Sequence, residues 1–126
     1  MKLVLAVALG GAIGAVARYQ SVVWISRLIG LGFPWGTLFV NIVGSFVMGL
    51  FIEFFTLRTS GGQEFRAFFA VGVLGSFTTF SSFSLDVAML YERGHLMAAG
   101  GYILASVALS IFGLFSGLWV MRTVVT

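Results

Sequence analysis

The sequence predicts an all-α membrane protein with four transmembrane helices per chain, the third of them broken at about residues 75–79. Among its 126 residues, 60% are hydrophobic and 9% are charged, whereas a soluble domain typically carries about 25% charged residues. Four apolar stretches reach the roughly 20 residues that a helix needs to cross a bilayer. The third stretch has glycine, serine and threonine at its centre, where a simple span would have leucine, valine and isoleucine.

The predicted spans occupy nearly the whole sequence, so residues 1–126 are predicted to form a single four-helix transmembrane domain. The spans are predicted at residues 3–25, 36–57, 67–91 and 96–121. The connections are predicted at residues 28–35, at a polar loop over 58–66 that contains Ser60-Gly61-Gly62, and at a turn over 92–95. These short connections leave no room for a soluble domain.

The charged residues argue against several classes of function. The net charge of +3 is small and spread along the chain, so no nucleic acid partner is predicted. The chain has no cysteine, which excludes disulfides and thiolate metal sites. The acidic residues lie in polar loops or near span ends, and no catalytic, metal-binding or phosphate-binding motif accompanies them. The sequence therefore predicts that the protein is not an enzyme.

The basic residues leave the orientation in the membrane open. With four spans, both termini lie on one side, together with Lys2, Arg58, Arg66 and Arg122. The other side holds Arg27 and Arg93, with Arg18 near it. This weak bias is compatible with a cytoplasmic N-terminus and equally with insertion in both orientations.

The first predicted span contains two features that require partners. Gly10 and Gly14 form a GxxxG pair, which indicates close contact with another helix. Arg18 lies inside the second half of the span, where a charge is costly unless it reaches the headgroups, pairs with another group or faces water.

Neutral polar residues lie within the second and fourth predicted spans. Asn41 is near the start of the second span. Tyr102, Ser106 and Ser110 are spaced by four residues in the fourth span, so a helix places them on one face. Side chains of this kind donate hydrogen bonds without carrying charge.

The third predicted span has two interpretations. Phe77, Phe80 and Phe83 recur every third residue among the glycines and hydroxyls of residues 72–86. Glycines and hydroxyls can interrupt a helix, and irregular backbone at membrane depth is tolerated only where protein buries it or where it lines a cavity. The alternative is an uninterrupted helix that packs through its small residues and turns its phenylalanines toward lipid.

These residue types suit a small ion. A phenylalanine ring has a positive edge, so a pore lined by such edges and by neutral donors suits a small, strongly hydrogen-bonding anion. Exposed backbone carbonyls at a helix break suit a hard cation instead. The residue types alone do not name the ion.

Three ordered motifs closely resemble the Fluc (CrcB) family of fluoride channels. Residues 75–84, Gly-Ser-Phe-Thr-Thr-Phe-Ser-Ser-Phe-Ser, resemble the family signature Gly-Gly-Leu-Thr/Ser-Thr-Phe-Ser-Thr-Phe. Residues 34–41, Pro-Trp-Gly-Thr-Leu-Phe-Val-Asn, resemble its Pro-x-Gly-Thr-Leu-x-Val-Asn, and residues 10–18 resemble its Gly-Gly-x-x-Gly-x-x-x-Arg. Length and the four-span layout agree as well, so the resemblance covers the whole chain.

The resemblance implies a fluoride-selective ion channel that exports fluoride passively from the cytoplasm, in the plasma (inner) membrane of a bacterium. It implies an antiparallel, dual-topology homodimer in the lipid bilayer, with a pair of fluoride pores. It also implies a structural sodium ion (Na+) at the dimer interface and no organic cofactor. The weak charge bias of the chain agrees with dual topology.

The resemblance further implies roles for particular residues. Phe80 and Phe83 match pore phenylalanines whose ring edges meet the ion, and Asn41 matches a pore asparagine that donates a hydrogen bond. Other residues match the polar lining of the pore, namely Ser81, Ser82, Tyr102, Ser106 and Ser110. Gly75 and Thr78 match a break whose backbone carbonyls hold the sodium ion.

Arg18 matches the first-helix arginine of the family, to which we assign electrostatic attraction of ions in a vestibule. The chain departs from the family pattern at Ser76-Phe77, where Gly-Leu is common, and at Leu114, where some members carry a hydroxyl. Phe77 could crowd the break, and Leu114 could shorten the polar lining.

Two other classes of protein are alternatives. A small dual-topology multidrug transporter has a similar size, but it needs a membrane-embedded glutamate in its first helix, and the first predicted span here has no acid. A membrane scaffold that transports nothing would explain the glycines. It would not explain why Asn41 accompanies the Ser, Thr and Phe residues of the third span.

Overall fold

The computed structural model describes residues 1–58 and 62–126, and four of its helical segments are long and apolar enough to cross a membrane. Helix α1 covers Lys2–Ile29 and α2 covers Trp35–Arg58. The third span is composed of α3 (Gln63–Arg66), a π-helix (Ala67–Leu74), α4 (Gly75–Phe77) and α5 (Phe80–Glu92), and it is followed by α6 (Leu96–Val125). The predicted all-α class and the four predicted spans are confirmed, so the chain is a multi-pass membrane protein.

Glycines with a positive φ angle mark two of the connections. Helix α1 continues to Ile29, beyond its predicted end at residue 25, and Gly30 follows it with φ 111°. This left-handed conformation favours glycine, which has no Cβ. The predicted turn over residues 92–95 is confirmed, because α5 ends at Glu92, Gly94 has φ 82° and α6 begins at Leu96.

The predicted polar loop over residues 58–66 is only partly a loop. Ser60 and Gly61 of that loop lie outside the described residues. Residues Gln63–Arg66 form α3, with Glu64 in the first turn and Arg66 in the last, an arrangement that complements the helix dipole. A short polar helix has no apolar period, so the sequence pattern does not reveal it.

Small residues let the spans pack closely. Helix α1 packs mainly against the π-helix, and α2 packs mainly against α6. A Cβ atom added at Gly14 would overlap the carbonyl oxygen of Val73, and one added at Gly117 would overlap that of Phe46. Lipid provides no hydrophobic drive between helices, so van der Waals contact of this kind holds the spans together. The close contact predicted for Gly10 and Gly14 is confirmed.

A bidentate ion pair joins α2 to α6 near the end of both helices. The Nε atom of Arg122 lies 3.1 Å from Oε2 of Glu53, and its Nη2 donates to Oε1 at 3.2 Å. Glu53 is buried, whereas the side chain of Arg122 is 58% exposed. A carboxylate near the end of a span is commonly solvated, but packing of α2 on α6 gives Glu53 a partner 69 residues away.

We expect Gly14→Ala to weaken the packing of α1 on the π-helix. The new Cβ would meet backbone, which cannot rotate away, and overpacking typically costs about 1–3 kcal/mol. Gly101→Ala is the matched control, because a Cβ added there has nothing within 4 Å. In detergent, the midpoint of thermal unfolding should fall by several degrees for Gly14→Ala only. Equal midpoints for the two variants would contradict the close contact.

Candidate functional site

A cavity of about 320 Å³ lies beside the point where α4 ends and α5 begins. Residues of α2, α5 and α6 line it, together with the two residues between α4 and α5. The lining residues are Asn41, Ser45, Thr78, Thr79, Phe80, Phe83, Ser106, Val107, Ser110 and Ile111. The fold therefore brings predicted site residues from three separate spans into one place.

The backbone between α4 and α5 is extended. Thr78 has φ −88° and ψ 159°, and Thr79 has φ −155° and ψ 124°. Gly75, with φ −62° and ψ −31°, is in an ordinary helical conformation, and Phe77 closes α4. The extended segment is thus shorter than the predicted residues 75–79, since residues 75–77 still make helical turns.

Side chains replace two helical hydrogen bonds at this point. The backbone N–H of Thr79 donates to Oδ1 of Asn41 at 2.8 Å, and the backbone N–H of Ser82 donates to Oγ1 of Thr79 at 3.1 Å. In a continuous α-helix these N–H groups would pair with the carbonyls of Gly75 and Thr78, four residues earlier. Both carbonyls therefore lose their usual helical donors.

The side-chain amide of Asn41 bonds the extended backbone through both its oxygen and its nitrogen. Its Oδ1 accepts from the N–H of Thr79, and its Nδ2 donates to the carbonyl of Thr79 at 3.0 Å. A primary amide has two N–H groups, so one remains as a donor at the cavity wall. The sequence predicts that Asn41 donates a hydrogen bond, but not that it also holds the backbone of another span. The structural role depends on Thr79, which is 38 residues away.

Arg18 reaches the same segment from α1. Its Nε donates to the carbonyl of Ser76 at 3.0 Å, and its Nη1 donates to Oγ of Ser82 at 3.4 Å. The guanidinium thus contacts α4 and α5 at once, which shows that this charge is paired with polar groups of the protein. The attraction of ions in a vestibule, which the sequence suggests for Arg18, stays a prediction.

A row of aromatic rings leads away from the cavity. The ring centroids of Phe80 and Phe83 are 5.4 Å apart, and those of Phe83 and Tyr102 are 5.2 Å apart. The ring of Phe33 meets Tyr102 edge to face, with centroids 5.4 Å apart. Phe83 is buried in the chain, whereas Phe80 is 75% exposed. One ring of the predicted pair is therefore held by this chain, and the other is open on one side.

The predicted stripe of Tyr102, Ser106 and Ser110 divides between two environments. Ser106 and Ser110 line the cavity. Within the described residues, the buried Oγ of Ser106 has no hydrogen-bond partner, so it remains able to bond a group in the cavity. Tyr102 is fully buried, and its hydroxyl donates to Oδ2 of Asp86 at 3.0 Å, so this hydroxyl is already engaged.

Some predicted site residues lie outside the cavity lining, namely Arg18, Gly75, Ser81, Ser82 and Tyr102. The Oγ of Ser81 lies 3.4 Å from Oγ1 of Thr79, and Ser82 contacts Arg18. Gly75 and Ser81 are exposed on the surface of the single chain.

Two polar lining residues are not among the predicted site residues. Ser45 lies four residues after Asn41, so the spacing of helical turns could have revealed it. Thr79 caps α5 by accepting from the N–H of Ser82. Threonine is a common N-cap, but in a run with so many hydroxyls the sequence does not show which residue has this role. Only the observed start of α5 at Phe80 identifies Thr79 as the cap.

We expect Asn41→Ala to loosen the backbone at Thr79, because it removes both partners of that residue. Loss of a hydrogen bond of about 1 kcal/mol should speed amide deuterium exchange at Thr79 about fivefold. Ser45→Ala is the matched control, since Ser45 lines the same cavity on the same helix and is not bonded to Thr79. Exchange measured in lipid nanodiscs tests this. If amide exchange at Thr79 is unchanged in Asn41→Ala, the Asn41 side chain does not hold the Thr79 backbone.

The spanning helices and the site define an integral membrane protein with a cavity of neutral hydrogen-bond donors and phenylalanine rings at membrane depth. Residues 1–58 and 62–126 contain no group of three or more His, Asp or Glu side chains that could hold a metal ion. This combination is typical of a protein that passes a small solute or ion.

Comparison with known proteins identifies the family. The family model described as CrcB-like protein, Camphor Resistance (CrcB), matches residues 5–118. The chain is 53% identical over 125 residues to the fluoride-specific ion channel FluC of Rhodospirillum centenum, covering 99% of each chain. It is 57% identical over 112 residues to the protein of the same name from Agrobacterium fabrum, covering 89% of this chain and 90% of the relative.

The chain belongs to the CrcB family, as the three sequence motifs predict. The relatives carry the names of ion channels, which places the chain in a family of non-enzymatic membrane proteins and confirms that it is not an enzyme.

Proposed function

We propose that this protein is a fluoride-selective channel that lets fluoride leave the cytoplasm passively. The observation that carries the proposal is the cavity beside Thr79, where Asn41, Ser106 and Phe83 meet. None of the lining residues that the structure describes carries a charge. The names and bacterial sources of the relatives support fluoride as the ion and the plasma (inner) membrane of a bacterium as the location.

The chemistry of the cavity suits fluoride. Fluoride is the smallest halide and the strongest hydrogen-bond acceptor among them, so it must exchange its water for equally good donors. The second N–H of Asn41 and the hydroxyls of Ser106 and Ser110 are donors of this kind. The positive ring edges of Phe80 and Phe83 add attraction without a fixed charge. Binding without a full countercharge allows the ion to leave as well as enter.

The active unit in this proposal is an antiparallel homodimer with a pair of pores. Gly75, Phe80 and Ser81 of the third span are exposed in the single chain, and we assign them to one interface. Glycine and serine at such an interface permit close contact between helices in lipid. A second copy would cover Phe80 and close the open side of the cavity. The small difference in basic residues between the two sides of the membrane is compatible with the insertion in both orientations that such a dimer requires.

A structural sodium ion at the dimer axis is the second part of the proposal. The carbonyls of Gly75 and Thr78 have lost their helical donors to Asn41 and Thr79. Carbonyl oxygens are ligands that a hard cation accepts, and Gly75 is exposed in the single chain. The donor set therefore suits Na+, which would tie the two chains together when bound.

Fluoride efflux from proteoliposomes tests the proposed function. The purified protein should pass fluoride down its gradient without coupled proton movement, and it should pass far less chloride in parallel vesicles. A proton-coupled transporter would show coupled proton flux, and a scaffold would pass neither ion. Either of these outcomes would contradict the proposal.

We expect Phe83→Ile and Phe80→Ile to reduce fluoride flux about tenfold or more, the effect of raising the barrier by about 1.4 kcal/mol. Isoleucine is apolar but has no ring edge to attract the anion. Phe115→Ile is the control, because Phe115 is exposed on α6 and does not line the cavity. Flux near the wild-type value in Phe83→Ile would remove its ring from the mechanism.

We expect Gly75→Val to leave the single chain folded but to weaken the dimer and its dependence on sodium. A Cβ at Gly75 has ordinary contact within the chain, with the carbonyl of Ala70 at 3.4 Å, and Gly75 is exposed there, so we expect crowding mainly across the interface. Gly75→Ala should have a smaller effect. Size-exclusion chromatography and thermal unfolding with and without Na+ measure this. A Gly75→Val protein that dimerises and responds to Na+ like the wild type would contradict the interface.

A further inference from the structure

We propose that Arg18 is a positioning residue for ion conduction, which acts by fixing the Ser82 hydroxyl as a hydrogen-bond donor. The inference rests on the proposed channel function. It differs from the vestibule role suggested by the sequence, in which the charge of Arg18 itself attracts the ion.

The direction of the hydrogen bond follows from chemistry. A guanidinium has five N–H donors and no acceptor, so in the contact between Nη1 of Arg18 and Oγ of Ser82 the serine oxygen must accept. The single proton of the Ser82 hydroxyl then points away from Arg18. Within the described residues no acceptor takes this proton, and the backbone N–H of Ser82 is already bonded to Thr79.

The bond of Arg18 to the carbonyl of Ser76 holds the guanidinium in place. Its Nε donates to the carbonyl of Ser76 at 3.0 Å, which is shorter than the 3.4 Å contact with Ser82. Because the guanidinium is planar and rigid, fixing Nε at Ser76 also fixes the direction from which Nη1 approaches Ser82. Lysine has the charge but no planar fork, so a bond to Ser76 would not fix the direction from which it approaches Ser82.

The free O–H of Ser82 lies where it could donate to an ion in the proposed dimer. Ser82 does not line the cavity of the single chain. It is half-buried beside Ser81, which is exposed and which a second copy would cover in the proposed dimer. A donor held by a cation is stronger than a neutral one, because a charge-assisted bond polarises the hydroxyl. Arg18 would thus supply its charge to the ion indirectly, through the Ser82 hydroxyl, and would not bind the ion itself.

A pair of substitutions of equal shape tests whether the hydroxyl is used. Ser82→Thr keeps a hydroxyl, whereas Ser82→Val has nearly the same volume and none. We expect fluoride flux in proteoliposomes to be about fivefold or more lower in Ser82→Val than in Ser82→Thr, the effect of one lost hydrogen bond. Equal flux in the two variants would overturn the inference.

A double-substitution cycle tests the link to Arg18. We expect Arg18→Lys to lower fluoride flux about fivefold, and Ser82→Val to add less than about twofold in the Arg18→Lys background, because coupled residues are not additive. Ser110→Ala, at the cavity wall on α6, should have the same effect in both backgrounds. Full additivity of Arg18→Lys and Ser82→Val, or wild-type flux in Arg18→Lys, would overturn the inference.

Failure of the proposed function and failure of the Arg18 role give different results. If the wild-type protein passes no fluoride, the proposed function fails. If it passes fluoride and the threonine and valine variants at Ser82 do not differ, only the role of Arg18 and Ser82 fails. Monodisperse chromatographic profiles of all variants show that flux is compared between folded proteins.

Discussion

The amide of Asn41 paired with the backbone of Thr79 is the interaction on which the rest of the site depends. Backbone N–H and C=O groups in the hydrocarbon region have no water to bond, so an interrupted helix must find other partners. Asn41 provides one acceptor and one donor to the same residue, at 2.8 and 3.0 Å. Thr79 can therefore be extended at membrane depth, and the chain can begin a new helix at Phe80.

Several features of the site follow from the start of a new helix at Phe80. Thr79 caps α5, so the carbonyls of Gly75 and Thr78 lose their helical donors and become available to a ligand. The first turn of α5 carries Phe80 and Phe83 to the cavity, opposite the serines of α6. The close contact of α1 with the π-helix, made through glycines, is what lets Arg18 reach across to Ser76.

Three charged residues of the spans, Glu53, Asp86 and Arg18, are bonded to other groups of the protein, and none of them lines the cavity. Glu53 is held by Arg122, and Asp86 accepts from the hydroxyl of Tyr102. Arg18 is bonded to a carbonyl and a hydroxyl on the α1 side of the third span. Each arrangement lowers the cost of placing a charge in a low-dielectric environment. Neutral polar side chains and the rings of Phe80 and Phe83 line the cavity, which agrees with the passage of an anion that we propose.

The sequence by itself determined the all-α class, the four spans and their approximate ends, because hydropathy and span length depend only on local composition. Its motifs also identified the family. Helical spacing placed Tyr102, Ser106 and Ser110 on one face, but only the tertiary structure decided that Ser106 lines the cavity while the hydroxyl of Tyr102 bonds Asp86. The same holds for Asn41 and Arg18, since their partners lie 38 to 64 residues away and are set by how the helices pack.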